Sequence, residues 1–182
     1  SRVTVTDPAR LVEFWMNVCR QNLRMELEKE RKTSDYENMG TLERIGLAIK
    51  MRLTYNTDFV RSNQWHEAMV IGARPERAAI TQGQLQDLMN DIADFADEKM
   101  ITTERLGLGA VYVATELHML TDESQGFADS WEFLRLRLNE WEGLAASQIC
   151  WRQTISTMVI QGSTKKNWYG SRTPPAKISN KP

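Results

Sequence analysis

Two cysteines, Cys19 and Cys150, and two histidines, His66 and His118, are all that the 182 residues offer to thiol or imidazole chemistry. Two distant thiols make neither a metal-ligand cluster nor a disulfide framework, so both read as reduced packing residues. The histidines lack the Glu-x-x-His and His-Glu-x-x-His spacings of di-iron bundles and zinc proteases, and read as packed or surface imidazoles. A glycine-rich phosphate loop is missing too: Gly107 and Gly109 lie inside a helical stretch with no strand before them. Serine and cysteine nucleophiles have no base-and-orienter partner in view. Catalysis by side chains is therefore not expected, and neither is a metal. No run of 18 apolar residues exists, so no segment is long enough to span a bilayer, and any membrane contact is expected to be peripheral.

Proline is scarce as well. Of five, three fall in the last nine residues, and with only ten glycines the body of the chain has few helix breakers. Hydrophobic residues at 41% and charged residues at 26% exclude a disordered chain and fit one all-α domain with a substantial core. Formal net charge is -1, but it is unevenly spread: Lys165, Lys166, Arg172, Lys177 and Lys181 stand in the last twenty residues without an acid, which leaves -6 on residues 1–162. That body would repel nucleic acid, while the tail suits an anionic surface. The chain opens at Ser1 without a methionine, as expected of a processed product or a fragment, so a targeting signal would be out of view.

What is present is helical periodicity, organised around Thr103 to Trp141. Leu106, Leu108, Val111, Val113, Leu117 and Leu120 predict a helix buried over most of its circumference, with Gly107, Gly109, Ala110 and Ala114 allowing close backbone approach. Phe127, Trp131, Leu134, Leu138 and Trp141 predict a second, amphipathic helix. The short polar link Thr121–Gly126 makes the two antiparallel neighbours. Before them, Asp7 caps a helix with Pro8 at its first position, its inner face marked by Leu11, Trp15, Val18, Asn22 and Met25 and widened by Phe14 and Leu27. Thr33 to Gly40 reads as a loop. Thr41 caps a helix whose buried face is Leu42, Ile45, Ile49 and Leu53, and Asn56-Thr57-Asp58 breaks it. A short apolar segment around Trp65 and Met69 follows. Thr81 with Gln84 forms a capping box that opens a helix with Leu85, Leu88, Met89, Ile92 and Phe95 inward. On that helix Asp87, Asp91, Asp94 and Glu98 fit a solvated outer face better than a cation site. Residues 7–143 are thus a bundle, 144–162 an amphipathic C-terminal helix and 163–182 a basic irregular tail.

Nine methionines and six tryptophans give the interior an adaptable apolar lining, able to take a long oily ligand or to form an ordinary core. The residues placed for lining are Trp65, Met69, Leu88, Ile92, Val111, Leu117 and Leu134. In the last helix Leu144, Trp151, Ile155, Met158 and Val159 share one stripe, and with Lys165, Lys166 and Trp168 they suit contact with a membrane interface.

The central block carries a resemblance. Tyr112, Thr115-Glu116, Asp122, Ser124, Phe127, Asp129, Trp131, Phe133, Leu134, Arg137 and Asn139 stand where the C-terminal domain of the ninth-numbered mitochondrial ubiquinone (coenzyme Q) biosynthesis family has its pattern. Cys19, Leu23, Leu27, Arg52-Leu53 and Trp65 are collinear with it, so the likeness covers about residues 7 to 162. It implies a TetR-like helical fold that binds isoprenoid, quinone or phospholipid without being an enzyme. It further implies a peripheral place at the matrix face of the inner mitochondrial membrane, where ubiquinone precursors are presented to the demethoxyubiquinone hydroxylase. The likeness starts at Asp7, past the family's helix-turn-helix, so those helices are expected to be missing and nucleic acid is not an expected partner. Ile101-Thr102-Thr103-Glu104-Arg105 stands where the family has an aromatic pair, a threonine and two arginines. Losing two aromatic anchors from an interface puts the hydroxylase partnership in doubt. The alternative is a structural subunit of a respiratory-chain complex derived from the same family. A homodimer is left open.

Overall fold

The computed structural model describes residues 7–144. The chain divides into two units, Ser1–Glu142 and Gly143–Pro182, and the helical bundle belongs to the first. Among the described residues every regular element is helical, as an all-α TetR-like bundle requires, and no helix is long and apolar enough to cross a membrane.

Helix α1, Pro8–Glu30, starts as its sequence predicts: the Asp7 carboxylate accepts the Ala9 N–H at 2.9 Å and Pro8 follows the cap. Its inner face is only partly the expected one: Leu27 is buried as read, and Trp15 and Val18 are half-buried. Ala9, Cys19, Leu23 and Leu27 are buried, while Leu11, Phe14 and Met25 are 55%, 64% and 57% exposed. The helix carries two apolar stripes, and the one with the smaller side chains faces inward, where α1 must pack against three other helices.

After α1 the expected loop contains a short helix, α2 (Ser34–Asn38), capped by Thr33, whose hydroxyl oxygen accepts the Tyr36 N–H at 3.2 Å. Helix α3 spans Thr41–Thr54 and buries Ile45, Ile49 and Leu53 as its periodicity predicts. Its cap is Gly40, one residue earlier than expected, with Glu43 reaching back to the Gly40 N–H at 2.9 Å. Short helices α4 (Thr57–Arg61) and α5 (Trp65–Gly72) follow.

Helix α6, Ala78–Phe95, begins three residues before the capping box its sequence suggests. Thr81 is already inside the helix, and its hydroxyl donates to the Gly72 carbonyl at 2.8 Å, stitching α6 to the end of α5. Of the acids read as a solvated outer face, Asp87, Asp94 and Glu98 are exposed as expected, while Asp91 is turned toward α1. Arg20 of α1 reaches Asp87 at 2.6 Å and Asp91 at 2.5 Å, so two of those acids clamp α1 against α6. Among the described residues no group of acids, histidines and cysteines is placed to hold a metal.

Helix α7, Thr102–Met119, and α8, helical from 128 to 144, run antiparallel through the polar link. His118 stacks on Phe133 at one end with ring centroids 4.5 Å apart. At the other end the Trp141 indole donates to the Glu104 carbonyl at 3.0 Å. Asp122 starts α8: its carboxylate accepts the N–H groups of Ser124 and Ser130, each at 2.8 Å, and the Ser130 hydroxyl at 2.5 Å. Burial raises its pKa, but the hydrogen bonds from Ser124 and Ser130 together outweigh that and hold it down at about 2.

Candidate functional site

Helix α7 is apolar nearly all round, yet only one side of it is buried. Leu108, Val111, Tyr112, Thr115 and Met119 face the core, whereas Leu106 is 63% and Leu117 50% exposed. Leu106, Ala110, Val113 and Leu117 recur at four, three and four residues, a second apolar stripe that is exposed except at Val113, which is partly buried against the core. The all-round apolar pattern therefore has a different cause from full burial: the outer stripe borders an open groove.

The groove lies between α6 and α7 and encloses about 460 Å³. Leu85 and Met89 of α6, with Gln82 and Gln86, form one wall, and Leu106, Ala110 and Val113 of α7 form the other. Gly109 is its floor. A Cβ there would sit 3.5 Å from Leu85 Cδ2 and 3.7 Å from Met89 Cγ, so any long side chain would fill the space that the glycine leaves. Thr102 and Arg105 complete the lining. That volume falls within the range of small-molecule pockets.

Inside the bundle a buried polar cluster accompanies the hydrophobic core. Glu116 of α7, only 7% exposed, accepts through Oε1 from Trp65 Nε1 at 3.1 Å, Asn56 Nδ2 at 3.1 Å and the Tyr112 hydroxyl at 3.4 Å. Asn56 in turn accepts the Trp15 indole N–H at 3.2 Å. Arg52, 1% exposed, places Nη2 at 2.9 Å from Met16 Sδ, and its Nη1 is buried without a partner. Burial pushes the Glu116 carboxyl above the usual carboxylate range, against the pull of Arg52 and of its three donors. Burial likewise raises the Tyr112 phenol.

The residues placed for ligand lining are distributed accordingly. Trp65 is buried but spends its N–H on Glu116, and Met69 is half-buried on α5. Leu88, Ile92, Val111 and Leu134 belong to the hydrophobic core. Leu117, expected inside, stands on the outer stripe of α7. None of these seven lines the groove. The membrane-contact candidates Trp151, Ile155, Met158, Val159, Lys165, Lys166 and Trp168 lie outside the described residues.

Sequence reading missed Arg105 and the α6–α7 walls as a site, and missed Arg52 and Asn56 as a buried cluster with Glu116. A signal existed for both. Two apolar faces on one helix next to a glycine mark a groove. For the cluster, residues carrying the family likeness, namely Arg52, Trp65, Tyr112 and Glu116, meet around one carboxylate although they are scattered along the chain.

The COQ9 family model matches residues 79–145. The mitochondrial ubiquinone biosynthesis protein COQ9 of Drosophila melanogaster is 29% identical over 134 residues, 71% of this chain and 40% of the fly protein. COQ9-B of Xenopus laevis is 29% identical over 85% of this chain and 54% of its own length, and human COQ9 is 27% identical over 74% and 44%. The chain spans about half the length of the curated relatives it matches. The central pair of helices, the groove and Glu116 all lie inside the stretch that is similar to the COQ9 family.

Proposed function

We propose that this protein is a non-enzymatic lipid-binding accessory protein of ubiquinone biosynthesis, acting peripherally at the matrix face of the inner mitochondrial membrane. The observation that carries this reading is the apolar groove of about 460 Å³ between α6 and α7, which lies wholly within the COQ9-matching stretch. It is open to solvent and floored by Gly109, so an isoprenoid, quinone or phospholipid chain can enter from the side without unpacking the core. The stripe Trp151, Ile155, Met158 and Val159, with the following lysines, supplies the membrane contact in this reading.

Native mass spectrometry of delipidated protein reloaded with a short-chain quinone tests it. One bound quinone is expected, lost in Gly109→Leu, which fills the groove floor. Equal loading of the variant, or a well-folded protein that takes up none, overturns the assignment.

A second reading rests on the interior. Glu116, Arg52 and Asn56 are buried in the bundle and held by its own side chains, which suits a domain kept as a structural accessory subunit of a respiratory-chain complex. Co-migration with such a complex on blue-native electrophoresis, surviving detergent, supports the subunit; a protein that runs alone supports the lipid carrier.

A further inference from the structure

The groove has two different ends. Gly109 faces both Leu85 and Met89 across it, and α6 and α7 are joined by a short loop, so the helices run antiparallel there. One turn toward that loop, Arg105 lies at the Met89 end with Thr102 beyond it. One turn the other way, Val113 lies at the Leu85 end with Gln82. From Thr102 to Val113 the lining runs about 16 Å at the usual helical rise.

Arg105 differs from the arginines that hold the fold together. Arg20 pairs with Asp87 and Asp91, Arg77 with Asp7 and Glu13, and Arg44 with Asp97. The Arg105 side chain makes no hydrogen bond, ion pair or ring contact among the described residues, and its Nε is buried without a partner. The adjacent acid, Glu104, is committed to the Ile101 N–H at 2.8 Å. A guanidinium partly removed from water with no counter-charge is costly, and an anion arriving beside it recovers that cost. Its planar fork matches phosphate and carboxylate oxygens, and it stands in the first turn of an 18-residue helix, whose dipole also favours negative charge.

Resting on the lipid reading of this groove, we propose that it selects single-chain amphiphiles with an anionic head, phosphate or carboxylate. The head sits on Arg105 beside Thr102, and the tail runs over Met89, Gly109 and Leu85 toward Val113. A neutral alcohol or quinone head gains the apolar contacts of the tail but not the charge-assisted bonds.

Calorimetric titration of the full chain with dodecyl phosphate, dodecanol and dodecyltrimethylammonium, each below its micelle concentration, separates the two parts. Dodecyl phosphate is expected to bind about tenfold or more tightly than dodecanol, the cation most weakly. Arg105→Gln should erase the preference, bringing dodecyl phosphate down to about the affinity of dodecanol for the same variant. Arg105→Lys should restore part of it, and inorganic phosphate alone should not displace the amphiphile. Equal binding of phosphate and alcohol by the native chain, or a preference that survives Arg105→Gln, overturns the head assignment while leaving the groove as a lipid site. Inorganic phosphate binding as tightly as dodecyl phosphate makes this an anion site without a tail and overturns the proposal. If neither dodecyl phosphate nor dodecanol binds, the lipid reading itself falls and the groove is left to a helix of another protein.

Discussion

The indole N–H of Trp65 donates to Glu116 Oε1 at 3.1 Å, and through that bond the short helix α5 is tied to the middle of α7. Both groups are buried, so neither can exchange its partner for water. Trp65→Phe should cost about 1–2 kcal/mol, the price of one buried hydrogen bond to a carboxylate plus imperfect refilling. Chemical denaturation would measure it; an unchanged midpoint would mean that Glu116 is satisfied without α5.

The same carboxylate sets a pH dependence. Because its folded pKa is raised, the folded state holds the Glu116 proton more tightly than the unfolded chain does. The resulting stability is fully present below the ordinary carboxyl value of 4.5 and is lost as pH rises through the folded value. Glu116→Gln keeps a neutral side chain at every pH. Thermal melts from pH 4 to 8 should therefore show the native chain losing stability relative to the variant as pH rises. A difference between the two that stays constant across that range would contradict the buried-acid account.

Asp122 should behave in the opposite sense. Its folded pKa of about 2 lies below the usual carboxylate range, so its contribution is present above about pH 4 and disappears as pH falls toward 2. Asp122→Asn should cost about 1–2 kcal/mol at neutral pH, since the start of α8 loses a charged acceptor for two backbone N–H groups. That cost should shrink on acidification, which acid melts of the two proteins would show. An equal cost at pH 2 and pH 7 would assign the effect to packing.

Two glycines in α7 separate close packing from open space. A Cβ on Gly107 would lie 2.9 Å from Trp141 Cδ1 and 3.1 Å from its Nε1, in a ring held by the bond to Glu104, so Gly107→Ala should destabilise by about 1–2 kcal/mol despite better helix propensity. Gly109→Ala meets only ordinary contacts and should be neutral or stabilising by up to about 1 kcal/mol. Measured unfolding free energies in the reverse order would refute the antiparallel seating of α8 on α7.

These positions also mark how far residue patterns reach. Ile45, Ile49 and Leu53 lie on a single stripe of α3 and were readable as its buried face. α1 and α7 were not, because each has two apolar stripes, and helical periodicity alone does not say which of them meets the core. On α1 the neighbours select Cys19 and Leu23 over Leu11 and Phe14, and on α7 they leave Leu106 and Leu117 outside. Thr81 misled for a related reason: its hydroxyl serves Gly72, a partner nine residues away that local capping rules ignore. The buried cluster was hidden because Arg52, Asn56, Trp65 and Glu116 come from four places in the chain and only tertiary packing assembles them.

The most direct test of the account is to map where a lipid touches the protein. A photoreactive isoprenoid analogue bound to the delipidated chain and activated by light should label peptides carrying Leu85, Met89, Leu106 and Val113, with labelling abolished by Gly109→Leu. Label on Leu88, Ile92 or Leu134 would place the ligand in the core instead, and saturable binding with neither pattern would contradict the groove as the site.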